Sequence, residues 1–358
     1  MKKVVKSLLK YPGGKQNELK IIKENLPKTA INYYEPFVGG GSVFLEMSYK
    51  KYFINDISQD LIKLYQFIKR QNHDFFLELE KINFNLKLIT SFVEKHKKSL
   101  IHSYYDWKKG LEISLSPLFN SIFVQLNLNN IAIFQEKLAD SLMPKFKLIS
   151  KLETKIDKKI SEIDILKNIH SGIASSLYSF YRQIYNKVDY GSPSLRIAIF
   201  YYLRDFCYSS MFRYNKNGDF NVPYGGISYD QKNLDAKIEF LQQESLLKKL
   251  ERTVIENVDF EKFFFENEPK VDDFVFLDPP YDTEFSTYDQ NPFDQNDQIR
   301  LANFCKTTKA KFMLIIKKTD FILDLYKDFN IKYFKKNYTV SFKNRNKKNV
   351  DHLLITNY

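Results

Sequence analysis

The sequence predicts an α/β fold: a mainly parallel sheet with helices between its strands, interrupted by a mostly helical insertion. Three observations predict it. Short apolar or β-branched runs recur at both ends of the chain. Helical stretches at 57–70 and 295–308 lie between them. From about residue 72 to residue 250 the runs give way to amphipathic periodicity. Apolar runs without alternation suit strands buried on both faces, and intervening helices imply crossovers between parallel neighbours.

The strand runs, in order, begin with Ile31-Asn32-Tyr33-Tyr34 and Tyr52-Phe53-Ile54. Thr253-Val254-Ile255, Phe274-Val275-Phe276-Leu277, Phe312-Met313-Leu314-Ile315-Ile316 and His352-Leu353-Leu354-Ile355 follow. Residues 146–169 place Ile149, Leu152, Ile156, Ile160, Ile163 and Leu166 three or four apart, with Lys and Glu between. That is the pattern of an amphipathic helix, or of half a helical hairpin. The Gly191-Ser192-Pro193 turn is read as the point where a peripheral piece rejoins a more essential one, before an apolar helix at 195–208. The expected domains are therefore 1–71 with 251–358, and an inserted helical unit at 72–250.

Composition narrows the class of partner. The chain has 358 residues, 44% hydrophobic and 16% aromatic, enough for a substantial core. Lys and Arg number 55 against 43 Asp and Glu, a formal charge of +12. That excess favours a polyanion, because cations laid on phosphates release condensed counterions. A lysine-rich proteome gives the same balance, so charge does not decide alone. Cys207 and Cys305 are the two cysteines and lack ligand spacing. This argues against a disulfide framework and a zinc site, and no metal is expected. The opening Met1-Lys2-Lys3-Val4-Val5-Lys6 imitates a secretion signal, but Lys6 and Lys10 break any apolar run. No stretch has membrane-spanning length, and a cytoplasmic location is expected.

Five segments carry chemistry. In Glu35-Pro36-Phe37-Val38-Gly39-Gly40-Gly41-Ser42, a strand runs into a glycine turn before a helix. Such a turn lets a ligand lie against backbone, although it is neither a dinucleotide fingerprint nor a phosphate loop. Asp56 ends the second strand, where an acid either accepts ribose hydroxyls or caps the next helix. Asp278-Pro279-Pro280-Tyr281 follows a four-residue apolar strand. It is the sharpest signal, since one specified tetrapeptide arises by chance in roughly a few per thousand such chains. An aromatic amine is a poor nucleophile because its lone pair enters the ring. Acceptors on both N–H bonds, the Asp278 carboxylate and the Pro279 carbonyl, localise that pair, and Tyr281 offers a stacking face. Lys10-Tyr11-Pro12-Gly13-Gly14-Lys15 is a compact turn in which Tyr11 suits a sulfonium and Lys15 an acid. The loop holding Arg213, Asn215 and Tyr224 suits base-edge and backbone contacts, and a surface hairpin is the competing reading.

Taken in order, these segments resemble the Dam-type DNA adenine N6-methyltransferases of the alpha group, over roughly 1–70 and 194–358. KYPGGK, EPFVGGGSVF, NDIS, RYNKNGDFNVPYG, DPPY and the terminal LLITNY carry the match. The resemblance implies a Rossmann-like methyltransferase fold with seven strands, S-adenosyl-L-methionine as cofactor and double-stranded DNA with a flipped adenine as substrate. By matching position, Tyr11, Lys15, Asp56 and Asp278 contact the cofactor, with Glu35, Phe37, Gly39 and Gly41 nearby. Asp259 and Phe260 frame its adenine; Asp278, Pro279, Pro280 and Tyr281 are the catalytic segment. Ser209, Met211, Arg213, Asn215 and Tyr224 face DNA, and Lys343, Arg345, Lys347 and Lys348 grip phosphates. The resemblance further implies a monomer, in a Dam-like role or beside an independently acting cognate restriction endonuclease. Departures from the family are Tyr11 for the commoner Trp, Tyr208-Ser209-Ser210-Met211 for Phe-Asn-Gly-Leu, and a longer insertion. The last two bear on the target sequence, not the chemistry. Alternatives are methylation of a cytosine amine and a non-catalytic DNA-binding protein that keeps the fold.

Overall fold

A computed structural model of the chain describes residues 7–11, 13–111, 116–187, 191–211, 213–280, 293–337 and 349–358. Seven strands form one sheet: β1 (Asn32–Glu35), β2 (Lys51–Asn55), β3 (Thr253–Glu256), β4 (Phe274–Leu277), β5 (Lys311–Lys317), β6 (Asn330–Asn337) and β7 (Asn349–Thr356). Their order across the sheet is β3-β2-β1-β4-β5-β7-β6. Neighbours from β3 to β5 are parallel, and β7 runs antiparallel to both β5 and β6. The strand order reverses between β1 and β4, the place where open α/β sheets open a ligand crevice at their carboxyl ends.

Alternation along the strands explains why both faces are covered. Tyr33, Tyr52, Ile54, Phe274, Phe276, Met313, Ile315 and Leu354 join one core. Tyr34, Val275, Leu277, Phe312, Leu314, Ile316, Leu353 and Ile355 join the other. Tyr34 and Phe53, paired across β1 and β2, stack at 4.3 Å between ring centroids. The first core continues into the helices lying between β2 and β3 in the chain, including Phe75, Leu79, Ile173, Leu177, Ile199 and Tyr202. Burial on two faces is what the uninterrupted apolar runs require.

Four helices of that central region begin with side-chain caps: Asn72 for His73–Lys95, Asn130 for Ile131–Ile156, Ser161 for Glu162–Asn186, and Ser192 for Pro193–Phe206. Pro193 occupies the first helical turn, where its missing N–H costs nothing. Asp60, on the helix Gln59–Lys69 that follows β2, ties the central helices to the sheet. It receives Arg196 Nε and Nη2 at 3.2 and 3.0 Å and the Tyr185 hydroxyl at 2.7 Å.

One sequence expectation needs correction. The amphipathic run 146–169 is not one helix but the two arms of a hairpin, Ile131–Ile156 and Glu162–Asn186. Asp157 ends the first arm in the left-handed region (φ 46°, ψ 41°). Leu152, Ile156 and Ile163, expected on the buried face, are exposed: the first two lie beside the buried stripe through Phe146, Ile149 and Glu153 near the end of the first arm, and Ile163 lies at the start of the second.

Candidate active site

The glycine turn after β1 is held from three sides. Gly39 N–H donates to Asp56 Oδ2 at 3.0 Å, and the Tyr65 hydroxyl donates to the Gly39 carbonyl at 3.0 Å. Leu8 N–H reaches the Gly40 carbonyl at 3.0 Å. Gly40 admits no side chain, because a Cβ there would stand 2.3 Å from the Leu9 carbonyl oxygen. Gly39 and Gly41 have φ of +50° and +73°, the conformations for which glycine is suited. Asn55 closes the other side. Its amide donates to the carbonyls of Pro36 and Val258 at 3.1 and 3.0 Å and accepts Val258 N–H at 3.0 Å, joining the ends of β1, β2 and β3.

Asp56 does not cap the next helix, whose N-cap is Ser58; both of its carboxylate oxygens serve the local backbone. Oδ1 accepts Ser58 N–H at 3.0 Å, a local turn at the helix start, while Oδ2 orders the glycine turn. Ile57, next to it, is 47% exposed, an apolar ledge at the carboxyl edge of the sheet. Phe37 packs with Phe260 and Phe293, centroids 5.7 and 5.5 Å away. Phe260 is buried, and the Arg300 guanidinium lies 4.7 Å from its ring centroid. Arg300 also pairs with Asp259 at 2.5 Å and Glu261 at 2.7 Å. Asp259 Oδ1 accepts Glu261 N–H at 2.9 Å as the cap of Phe260–Glu266.

The acidic turn stands beside this cleft. Asp278 follows β4, and Glu35 ends β1, the adjacent strand. Lys15 is buried; its ammonium pairs with Asp278 Oδ1 and donates to the Gly13 carbonyl at 3.1 Å. Its backbone N–H donates to Ser42 Oγ at 3.1 Å, which docks the turn at 10–15 onto the glycine loop. Glu35 is buried below, accepting the Tyr33 hydroxyl at 2.7 Å. Burial holds the Glu35 carboxyl well above the usual carboxylate range, Asp278 adds to that rise, and Tyr33 and Lys15 oppose it. Pro279 is buried and Pro280 exposed. Gln298, on the helix Gln295–Thr307, donates to the Pro280 carbonyl at 3.1 Å and braces the turn. The structure thus brings together Tyr11, Lys15, Glu35, Gly39, Gly41, Asp56 and Asp278. Tyr281, Lys343, Arg345, Lys347 and Lys348 lie outside the described residues.

Sequence reasoning missed Arg204, Asn55, Tyr65 and Gln298. Arg204 is buried at the end of Pro193–Phe206, its guanidinium 4.9 Å from the Tyr11 ring centroid and Nη2 donating to the Lys10 carbonyl at 3.4 Å. Burial lowers its pKa to about 10, so it stays charged at neutral pH. No motif marks it; only the fold places it on Tyr11.

Beyond that helix lies a bend at Tyr208–Ser210. Ser209 and Ser210 both have φ of +52°, which costs side-chain-bearing residues roughly 1 kcal/mol or more each. Tyr208 is 50% exposed and Met211 half-buried. Arg213 is exposed and its Nε donates to Asn221 Oδ1 at 3.0 Å. Asn215 organises a tight turn: its Oδ1 accepts the N–H groups of Asn217 and Asp219, both at 2.9 Å. Tyr224 turns inward, its hydroxyl donating to Asp230 Oδ1 at 3.0 Å. Among the described residues no group of His, Cys, Asp and Glu side chains is arranged to hold a metal, and no helix is long and apolar enough to cross a membrane.

The chain is similar to known proteins over almost its whole length. A family model described as D12 class N6 adenine-specific DNA methyltransferase matches residues 11–130 and 120–340. The type II methyltransferase M.CviBI of Paramecium bursaria Chlorella virus NC1A is 32% identical, covering 64% of this chain and 91% of the relative. The type II methyltransferase M.MjaIII of Methanocaldococcus jannaschii is 28% identical over 99% of both chains. The DNA adenine methylase of Escherichia coli K12 is 23% identical, covering 98% of this chain and 94% of the relative.

Proposed function

We propose, from the premise that this chain belongs to the D12 class of N6 adenine-specific DNA methyltransferases, that S-adenosylmethionine is its methyl donor and that the target adenine leaves the duplex to react beside Asp278. Adenine methylation of DNA is the family's activity, which decides against the cytosine amine and against a catalytically silent binder. The donor, the path of the base and the residue roles are the inference. One observation carries it: Asp278, at the carboxyl end of β4 and paired with Lys15, stands beside the glycine turn that follows the adjacent strand β1.

The residues fit such a donor. Asp56 carries a carboxylate suited to a ribose diol, and Ile57 an apolar surface suited to a purine. Phe37, with Phe260 behind it, extends that surface. Lys15 and Tyr11 are assigned to the donor's amino-acid end. When bound, S-adenosylmethionine supplies an electrophilic methyl group on a sulfonium. The Asp278 carboxylate and the Pro279 carbonyl accept the two N–H bonds of the adenine amine and turn its lone pair towards that methyl. Lys15, paired with Asp278 Oδ1, holds that carboxylate in place. Transfer would form the nitrogen–methyl bond as the methyl–sulfur bond breaks, leaving the neutral thioether S-adenosylhomocysteine, and the methylated amine would then release its extra proton to solvent. Most of the rate gain comes from positioning and from fixed acceptors that meet the developing positive charge. Extrusion of the base is required because the amine is inaccessible inside a duplex. Ser209, Met211, Arg213, Asn215 and Tyr224 are the residues of the 208–224 segment assigned to DNA, with Lys343, Arg345, Lys347 and Lys348 on phosphates. Asn215 and Tyr224 also shape that segment.

Both a Dam-like role and modification beside a restriction endonuclease agree with the relatives' names. Expression in a host without DNA methylation, followed by sequencing of modified bases, tests the reading. N6-methyladenine at one recurring sequence is the expected result. An unmodified genome, with purified folded protein also failing to bind S-adenosylmethionine, overturns it.

A further inference from the structure

Arg204 has a part in neither the cleft nor the DNA-facing segment, yet touches the first and leads into the second. It is among the largest fully buried side chains of the molecule. Its guanidinium covers Tyr11 at 4.9 Å, and its Nη2 holds the Lys10 carbonyl. Tyr11 in turn lies against the glycine turn: a Cβ on Gly39 would come within 3.2 Å of its ring, and one on Gly40 within 3.2 Å of its Cβ. Four residues further on in the same segment as Lys10 and Tyr11, Lys15 pairs with Asp278. The helix carrying Arg204 ends at Phe206, and the bend with two left-handed serines begins two residues later.

The junction is fastened tightly. Asp205, fully buried, meets Lys232 at 2.5 Å and Lys237 at 3.1 Å. Tyr208 N–H donates to the Pro223 carbonyl at 2.8 Å, and Gly225 N–H to the Phe206 carbonyl at 2.9 Å. A displacement of the bend therefore has little slack to dissipate in before it reaches the end of the helix. Strain of this kind, held in place by its surroundings, clusters at ligand sites and switch regions, which makes the bend the element through which bound DNA is expected to act.

We propose that Arg204 is a positioning residue that ties the methyl-donor cleft to the DNA-facing bend, so that each ligand strengthens the binding of the other. The inference rests on the assignment of Tyr11 to the donor cleft made above. DNA seated on 208–213 shifts the end of the helix, the buried guanidinium carries the shift to Tyr11, and Tyr11 closes on the glycine turn. Linkage makes the effect reciprocal: the factor by which duplex raises donor affinity equals the factor by which donor raises duplex affinity.

The test uses the full chain, S-adenosylhomocysteine as an unreactive probe, and a duplex carrying the sequence that the enzyme modifies. Calorimetry measures the affinity of the probe with and without duplex. In the unaltered protein the duplex is expected to raise it about 5- to 50-fold. In Arg204→Met this factor falls to within about twofold of unity, while affinity for either ligand alone changes less than the factor does. Arg204→Lys keeps a cation at this position without the planar fork and, where circular dichroism shows it folded, it shows an intermediate factor. A factor preserved in Arg204→Lys and in any folded Arg204→Met, or a factor of unity in the unaltered protein, overturns the proposal. Failure of the unaltered protein to bind the probe at all instead sinks the assignment of the cleft.

Discussion

Single residues carry the electrostatic design. Asp278 and Glu35 sit at adjacent strand ends, and their different environments separate their roles. Asp278 is paired with Lys15 and reaches the cleft, whereas Glu35 is buried, and burial favours its protonated form. Asp230 is a second buried acid, away from this pair. Burial raises its pKa to about 7, with the Tyr224 hydroxyl opposing the rise. The folded protein keeps this proton up to about pH 7, but an unfolded chain releases it near about pH 3.9. The folded state therefore binds more protons in that window, and Asp230 makes stability fall as pH rises from about 4 to about 7. Asp230→Asn should remove a slope of up to about 1.4 kcal/mol per pH unit. Denaturant titrations at pH 5 and pH 8 check this. The variant gains on the unaltered protein between the two, and an unchanged difference would contradict the argument.

Elements explain what the sequence disclosed and what it hid. Runs such as Phe274–Leu277 were legible because a strand buried on both faces permits only apolar side chains. β6 was missed: in Asn330-Ile331-Lys332-Tyr333-Phe334-Lys335, lysines interrupt the apolar signal. It is an edge strand, and charges there protect the open edge from pairing with other chains. The hairpin break at Asp157 was hidden because apolar spacing continues across it. Asp157→Gly should stabilise the protein by about 0.5–1 kcal/mol, since glycine adopts the left-handed conformation without a Cβ penalty. A thermal melt showing a loss of stability would contradict that. The glycine turn makes the opposite prediction. Gly40→Ala forces the Leu9 carbonyl aside and should weaken binding of S-adenosylhomocysteine at least about tenfold, measured by calorimetry on folded variant.

Across the whole molecule, the chemistry was more legible than the coupling. Short strings at strand ends marked the glycine turn, Asp56 and the acidic turn, which the fold brings together at the carboxyl edge of the parallel sheet. Arg204 left no such trace, because its partner Tyr11 is almost two hundred residues away in the chain and only folding sets one on the other. The net charge of +12 acts at this scale too. If the phosphate contacts are as assigned, duplex affinity should fall steeply with salt, with a log–log slope of about −3 or steeper. A slope near zero would remove the phosphate grip from the account.

The most direct measurement concerns the acidic turn itself. Single-turnover methylation by Asp278→Ala, at saturating S-adenosylmethionine and duplex, should be slower by about 10²- to 10³-fold or more, with duplex affinity within about threefold of the unaltered protein. Transfer by this variant at a near-normal rate would show that Asp278 does not hold the adenine amine.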